Sequence, residues 1–349
     1  MAERIVLHIG APKTGTTYLQ AVLFENQPRL REHGVLVPGS SRAAHGRAAT
    51  GVRQGPQGRR HVDWERLVAA AQAWPGTVVL SNEWFSMAPA RRARAALADL
   101  GGTEVHLVFT ARDLVGQVPA AWQEMLKRGE SSSLDDFVTS LEATSGRWRW
   151  SVLDPAVVLE RWGAGLPPER VHVVTMPPRG SDPALLWERF ARACLIPAGV
   201  CGTDVSAARE SLGAESARLL ELLGPRLLDA VDAEAAGWQA PFEWIQNYLA
   251  HGLMAPRGGT RLTMRPQDVA AVRERSRSSV QALRDAEYDV VGDLCDLIPA
   301  STPPDARHPD DISESELLEA AMTLVADMLR RAREDTREEG TRAGSRQED

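Results

Sequence analysis

One stretch near the start of the chain restricts its fold more than any other: Arg4-Ile5-Val6-Leu7-His8-Ile9-Gly10-Ala11-Pro12-Lys13-Thr14-Gly15-Thr16-Thr17-Tyr18-Leu19-Gln20. The apolar run 5–9 reads as a parallel strand buried in a sheet. It breaks at Gly10 and Pro12, and a helical pattern carried by Leu19, Val22 and Leu23 begins straight afterwards. Strand, glycine-rich turn and helix start bring successive backbone N–H groups and a positive helix end to one point, which makes an anion cradle. Lys13 adds a full charge there, and Thr14, Thr16 and Thr17 add hydroxyl donors, so a phosphate or sulfate group is the expected guest. In a nucleoside-triphosphate loop the Lys follows the second Gly. Here Lys13 precedes Gly15, which argues against an ordinary ATPase or kinase.

The same alternation continues downstream. Apolar runs at 77–81, 104–110 and 171–176 read as further buried strands, and helical patterns occupy 67–74, 90–100, 134–141, 155–162 and 185–194. This predicts an α/β fold, a parallel sheet flanked by helices, over about residues 4–195. A helical C-terminal part follows over about 206–298, with helices at 215–223, 241–251 and 266–287 and a closing element at 288–294. The expected organisation is one domain over 1–298, a Pro/Asp-rich linker at 299–311, an amphipathic appended helix at 312–335 and a disordered charged tail at 336–349. The polar stretch 38–61, which holds His45 and the basic group Arg53, Arg59, Arg60 and His61, reads either as a disordered surface loop or as a lid.

Two strand ends carry chemistry. Ligands of open α/β sheets bind outside the carboxyl ends of the strands, and Glu83 and Arg112 follow two of them. Glu83 is either a helix-capping carboxylate or a reactive group. Arg112 either grips a phosphate with its planar fork or pairs with Asp113. Trp148 and Trp150 either line an acceptor pocket or pack in the core.

Composition then removes several classes. With 349 residues and 43% hydrophobic content the chain can bury a large core. A net charge of −7 does not suit a nucleic-acid partner, so any basic site must be local. No leader-like h-region and no long apolar window occur, so neither secretion nor a membrane span is expected. Cys194, Cys201 and Cys295 are odd in number and not in ligand spacing; they read as reduced thiols of a cytoplasmic protein, with no metal site. The oligomeric state is not legible.

Pro12-Lys13-Thr14-Gly15-Thr16-Thr17-Tyr18 resembles the 5′-phosphosulfate loop of sulfotransferases that use 3′-phosphoadenosine 5′-phosphosulfate (PAPS). The segment 112–123 resembles their second motif, and the likeness runs through about 4–195. The resemblance implies that Lys13 meets the bridging oxygen and the sulfuryl group, while the N–H groups of Thr14, Gly15, Thr16 and Thr17 hold the 5′-phosphate. Tyr18 would stack on the adenine, Arg112 would hold the 3′-phosphate, and Arg257, in a Gly-rich basic loop at 255–261, would close over it. Glu83 would take the acceptor's proton, with His45 as the rival base. The family places a Ser eight residues after the Arg; here that position is Ala120, which offers no hydroxyl. The implied reaction is sulfuryl transfer from PAPS to a hydroxyl or amine of a small-molecule, lipid or carbohydrate acceptor, without a metal. Two other classes share these features: a P-loop phosphotransferase using a nucleoside triphosphate and Mg²⁺, and a non-catalytic relative that only binds adenosine bisphosphate.

Overall fold

The computed structural model describes residues 2–58, 61–182, 184–205, 211–299 and 301–345, with side chains through 337. Six strands form one sheet: β1 (Arg4–His8), β2 (Val35–Leu36), β3 (Thr77–Ser81), β4 (Glu104–Ala111), β5 (Val171–Thr175) and β6 (Asp289–Val291). Their order is β2-β3-β1-β4-β5-β6, and every pairing is parallel. After β1 the chain places β2 at one edge and inserts β3 between β2 and β1; it then crosses to the other side of β1 and adds β4, β5 and β6 outward, so the direction of growth reverses beside β1. In open α/β sheets ligands bind where such a reversal occurs, which here is at the carboxyl ends of β1 and β4.

The strands read as continuous apolar runs because both faces are covered. Ile5, Leu7, Val78, Leu80, Leu107, Phe109, Val171 and Val173 point into one core layer, and Val6, Val79, Val108 and Val174 into the other. The second layer is closed by Leu19, Val22 and Leu23 of α1 (Thr16–Glu25) and by Leu186, Trp187 and Phe190 of the helix Ala184–Ala193. The first layer takes Trp64, Leu67, Ala93, Ala96, Val158, Leu159, Trp162, Val280 and Leu283 from the helices His61–Gln72, Ala90–Asp99, Pro155–Gly163 and Pro266–Asp285.

The stretch read as a loop or lid departs from expectation. Its residues form the helix Arg42–Gln54, and a further helix, His61–Gln72, begins where the stretch ends. The face it buries is made of His45, Ala48, Ala49, Gly51 and Val52; its only apolar side chains, Ala48, Ala49 and Val52, are too small to announce a core helix among the surrounding arginines and glycines. Tertiary packing thus overrides weak local propensity. Arg59 and Arg60 lie outside the described residues.

The chain divides into two compact units, each assembled from three separate stretches: Met1–Val118, Thr139–Ala207 and Pro266–Ser301 in one, Pro119–Val138, Ala208–Arg265 and Thr302–Asp349 in the other. The first holds the sheet. In the second, the helix Ala214–Ala230 packs against the long helix Glu314–Ser345. That long helix continues through most of the segment expected to be a disordered tail, carried by Arg, Glu and Ala residues with good helix propensity. The expected linker is also structured: Pro309–Asp311 is a 3₁₀ turn, and buried His308 donates from Nε2 to Asp135 over 3.0 Å. Arg265 binds Asp311 at 2.9 Å and Asp310 at 3.2 Å, and Arg218 reaches Asp310 at 3.1 Å. Asp135, His308 and Asp310 lie close enough to resemble a metal-ligand set, but these arginines already neutralise the carboxylates. The helix expected at 241–251 is wound as a π-helix, Pro241–Met254. No described helix is long and apolar enough to cross a membrane.

Candidate functional site

The loop after β1 prolongs the sheet before it turns. Ile9 N–H donates to Val108 O at 3.0 Å, Thr110 N–H to Gly10 O at 2.6 Å and Ala11 N–H to Thr110 O at 2.9 Å. Gly10 has φ +106°, and a Cβ there would lie 2.8 Å from the Glu83 carbonyl oxygen and 2.9 Å from its Cα. Only glycine allows this approach, and it brings Glu83 against the cradle. Lys13 and Gly15 also take left-handed backbone, at φ 67° and 79°. Gly15 then caps α1 with no side-chain acceptor, and no acidic residue occupies the first helical turn. The positive end of α1 thus has no acidic side chain of its own first turn beside it.

Two side chains brace the loop by its carbonyls. Arg112 Nη1 donates to Lys13 O at 3.2 Å, and Gln117 Nε2 donates to Pro12 O at 2.8 Å. Arg112 has both of the environments that the sequence left open, because its Nε also lies 3.8 Å from Asp113 Oδ2. Asp113 is committed elsewhere: its Oδ1 accepts from Gly116 N–H at 2.6 Å and caps the helix Leu114–Leu126. Burial pulls the Arg112 guanidinium down; Asp113 raises it again and Arg179 lowers it. Lys13, Arg112 and Arg179 thus gather positive charge at the ends of β1, β4 and β5 in a protein whose net charge is −7.

Beneath the loop runs a row of buried polar groups that the sequence did not disclose. Ser81 Oγ lies 2.8 Å from His8 Nδ1, His8 Nε2 3.3 Å from Thr110 Oγ1, and Thr110 Oγ1 2.6 Å from Thr14 Oγ1. Thr14 in turn donates to Ala11 O at 2.5 Å. Since Thr14 spends its proton on that carbonyl, the donors run in one direction: Ser81 to His8, His8 to Thr110, Thr110 to Thr14. A neutral His8 protonated at Nε2 fits, and burial holds its pKa down at about 3. The Thr14 hydroxyl is therefore not a donor to a ligand, contrary to expectation; its backbone N–H keeps that role. Thr16 is also buried, whereas Thr17 is exposed and its carbonyl accepts from Arg42 at 3.4 Å.

Glu83 opens a 3₁₀ turn, Glu83–Met87, capped by Asn82, whose side chain accepts from Trp84 N–H. Asn82 N–H donates to His8 O and Ser86 N–H to Ile9 O, at 3.0 and 3.1 Å, which stitches the turn to the β1 loop. Gln20 Nε2 donates to Glu83 Oε2 at 3.0 Å. The rival base is placed very differently. His45 is fully buried, with Nδ1 accepting from Ser81 N–H at 3.0 Å and Nε2 lying 2.6 Å from Pro38 O. Both ring nitrogens serve the backbone, and burial, the largest influence, lowers its pKa.

Tyr18 packs half-buried against the second core layer, and burial followed by the charge of Asp182 raises its pKa. Arg257 belongs to the other unit, where it pairs with Asp327 on the long helix, and Thr260 in the same loop is held by Glu215. Ala120 stands on the helix Leu114–Leu126. Trp148 and Trp150 are both buried, and Trp148 meets Trp84 edge-on at 5.9 Å.

The structure thus brings Lys13, Arg112 and Glu83 to one strand edge, and it leaves His45 and Arg257 in other roles. Sequence reasoning missed His8, Gln20, Thr110, Gln117 and Arg179, whose parts arise only from contacts distant in the chain. No family model, curated protein or solved structure matches this chain.

Proposed function

We propose that the protein is a sulfotransferase that moves a sulfuryl group from PAPS to a hydroxyl or amine of an acceptor. The observation that carries this reading is the joining of two cationic strand ends by the Arg112–Lys13 O hydrogen bond, with Glu83 pressed against the same loop by Gly10. A donor with a phosphosulfate and a separate phosphate supplies anions for both strand ends, and its chemistry is an in-line transfer that expels adenosine 3′,5′-bisphosphate. The N–H groups at Thr14–Thr17 and the α1 terminus would hold the 5′-phosphate. Lys13 would neutralise the charge that builds on the leaving oxygen, an effect that depends on preorganised position. Arg112, part-buried and already aligned by the Lys13 carbonyl, is the group that would bind the second phosphate. Glu83, oriented by Gln20, would accept the acceptor's proton. The occupation of both His45 nitrogens supports Glu83 over His45 as the base.

Calorimetric titration of adenosine 3′,5′-bisphosphate against ATP, with and without Mg²⁺, tests the donor class. Preference for the bisphosphate without metal is the expected result; Mg²⁺-dependent preference for ATP points to a phosphotransferase instead. Lys13→Ala is expected to lower transfer by about 10²–10³, and a variant within threefold of wild type would remove the assignment. Bisphosphate binding with no transfer to any acceptor would favour a binding protein.

A further inference from the structure

A cavity of about 390 Å³ opens beside the Glu83–Met87 turn and is lined by Arg53, Met87, Pro89, Gly146, Arg147 and Arg149. Three of these six residues are arginines and none carries a carboxylate. Their hydrogen bonds go to neutral acceptors: Arg53 to the Met87 sulfur at 3.1 Å, and Arg149 to Ser151 Oγ at 2.8 Å and Thr144 O at 3.1 Å. Arg147 lies over the Trp84 ring at 5.5 Å. Arg161 backs the group: its Nη2 donates to Ser86 O at 2.5 Å and Ser151 O at 2.8 Å, while its Nε is buried without a partner. Glu160 is the carboxylate that acts on Arg161, yet burial and Arg149 still hold that guanidinium down at about 10. Burial, then Arg147 and Arg149, likewise lower Arg53.

Guanidiniums that lower one another's proton affinity around a cavity repel one another, and an anion placed among them relieves that repulsion. The planar forks of arginine match carboxylate and phosphate oxygens two at a time. The cavity and the candidate base share one short turn. In a 3₁₀ turn residues three apart fall on one face: Trp84 and Met87 serve the arginine side, Glu83 the cradle side, and Ser86 joins the two, its N–H donating to Ile9 O and its carbonyl accepting from Arg161.

We propose that this arginine-lined cavity is an anion subsite that takes an acidic small molecule, one bearing a phosphate or several carboxylates, beside the turn that presents Glu83. Binding of the anion stands by itself. That the bound molecule is the acceptor, an acidic compound whose hydroxyl or amine reaches Glu83, rests on the sulfotransferase reading.

Calorimetry with pyrophosphate and with citrate tests it, in full-length protein carrying Lys13→Ala so that the strand-end cradle is weakened. At least one of the two anions is expected to bind, and which one tells a phosphorylated ligand from a carboxylated one. Arg147→Gln/Arg149→Gln is expected to weaken that binding tenfold or more. Met87→Glu offers the arginines an internal carboxylate, and is expected to raise the melting temperature and abolish its further rise with added anion. Binding of neither anion, affinity unchanged in the double variant, or an anion response that survives Met87→Glu would each overturn the proposal. None of these measurements uses a sulfuryl donor, so their failure leaves the assignment of Lys13 and Glu83 untouched. Conversely, bisphosphate that fails to bind while the anion subsite responds as expected removes the transferase reading alone.

Discussion

At the scale of single residues, the site turns on what each side chain has left after its structural bonds are made. His45 has nothing left, because both nitrogens hold backbone groups of Ser81 and Pro38. Glu83 accepts from Gln20 on Oε2, and its backbone lies against Gly10 of the β1 loop. Glu83→Gln is therefore expected to cut turnover by about 10²–10⁴ while bisphosphate affinity stays within threefold, since the amide keeps the shape. His45→Gln should lower unfolding stability by about 1–3 kcal/mol, the cost of stranded buried polar groups, and leave turnover per folded molecule near wild type. Single-turnover transfer at saturating donor, read beside urea melts, separates the two. If His45→Gln abolishes transfer in a fully folded enzyme and Glu83→Gln does not, the base has been misassigned. Gly10→Ala should act on both properties together, because its Cβ meets the Glu83 backbone at 2.8 Å. A Gly10→Ala variant with native stability and native turnover would show that the close approach is dispensable.

Among elements, legibility follows burial. The four longest strands announce themselves because a parallel strand covered on both faces must be apolar at every position. Two-residue β2 has too little sequence to show a period, and the Arg42–Gln54 helix hides its core face in alanines. The cradle is legible because its glycines and Lys13 are local; its supports are not, because Gln117 and Thr110 reach it from about a hundred positions away. His8 is the sharpest case, since one polar residue in an apolar run says nothing about the hydroxyls waiting in β3 and β4. Thr110→Val breaks that row and strands the His8 N–H, so stability should fall by about 1–3 kcal/mol. The β1 loop should also lose anion affinity. An unchanged urea midpoint would mean the row contributes nothing. A second row crosses the opposite end of the sheet: Arg4, Glu104, His106, His172 and Asp289 follow one another at 2.9, 2.7, 2.7 and 2.6 Å. Hydrogen bonds from His106 and Arg4 hold the Glu104 carboxyl down at about 2. Lying at the amino ends of the strands, this row ties β1, β4, β5 and β6 together far from the cradle edge.

For the whole molecule, the buried histidines set an acid limit. His8 titrates at about 3 in the folded protein against 6.5 in an unfolded chain, so below pH 6.5 the unfolded chain binds a proton that the native state refuses. Stability is complete above that value and is lost as the pH falls, at about 1.4 kcal/mol per pH unit for such a group. His45, lowered for the same reason, adds in the same direction. Urea midpoints should therefore drop from pH 7 to pH 5 by more than surface carboxylates alone explain, and a His8→Asn variant should flatten the slope. An equal slope in that variant would place the acid limit elsewhere. The interleaving of the two units has a different consequence, for synthesis. The first unit lacks β6 until residues 289–291 have been made, and the second waits on the helix Glu314–Ser345. Trimming from either end never passes through a fragment in which one unit is whole and the other absent. On the ribosome, β5 has no partner on its outer side until residues 289–291 have emerged, so the nascent protein must keep that side of its sheet open, and exposed to chaperones, while the whole stretch between β5 and β6 is made.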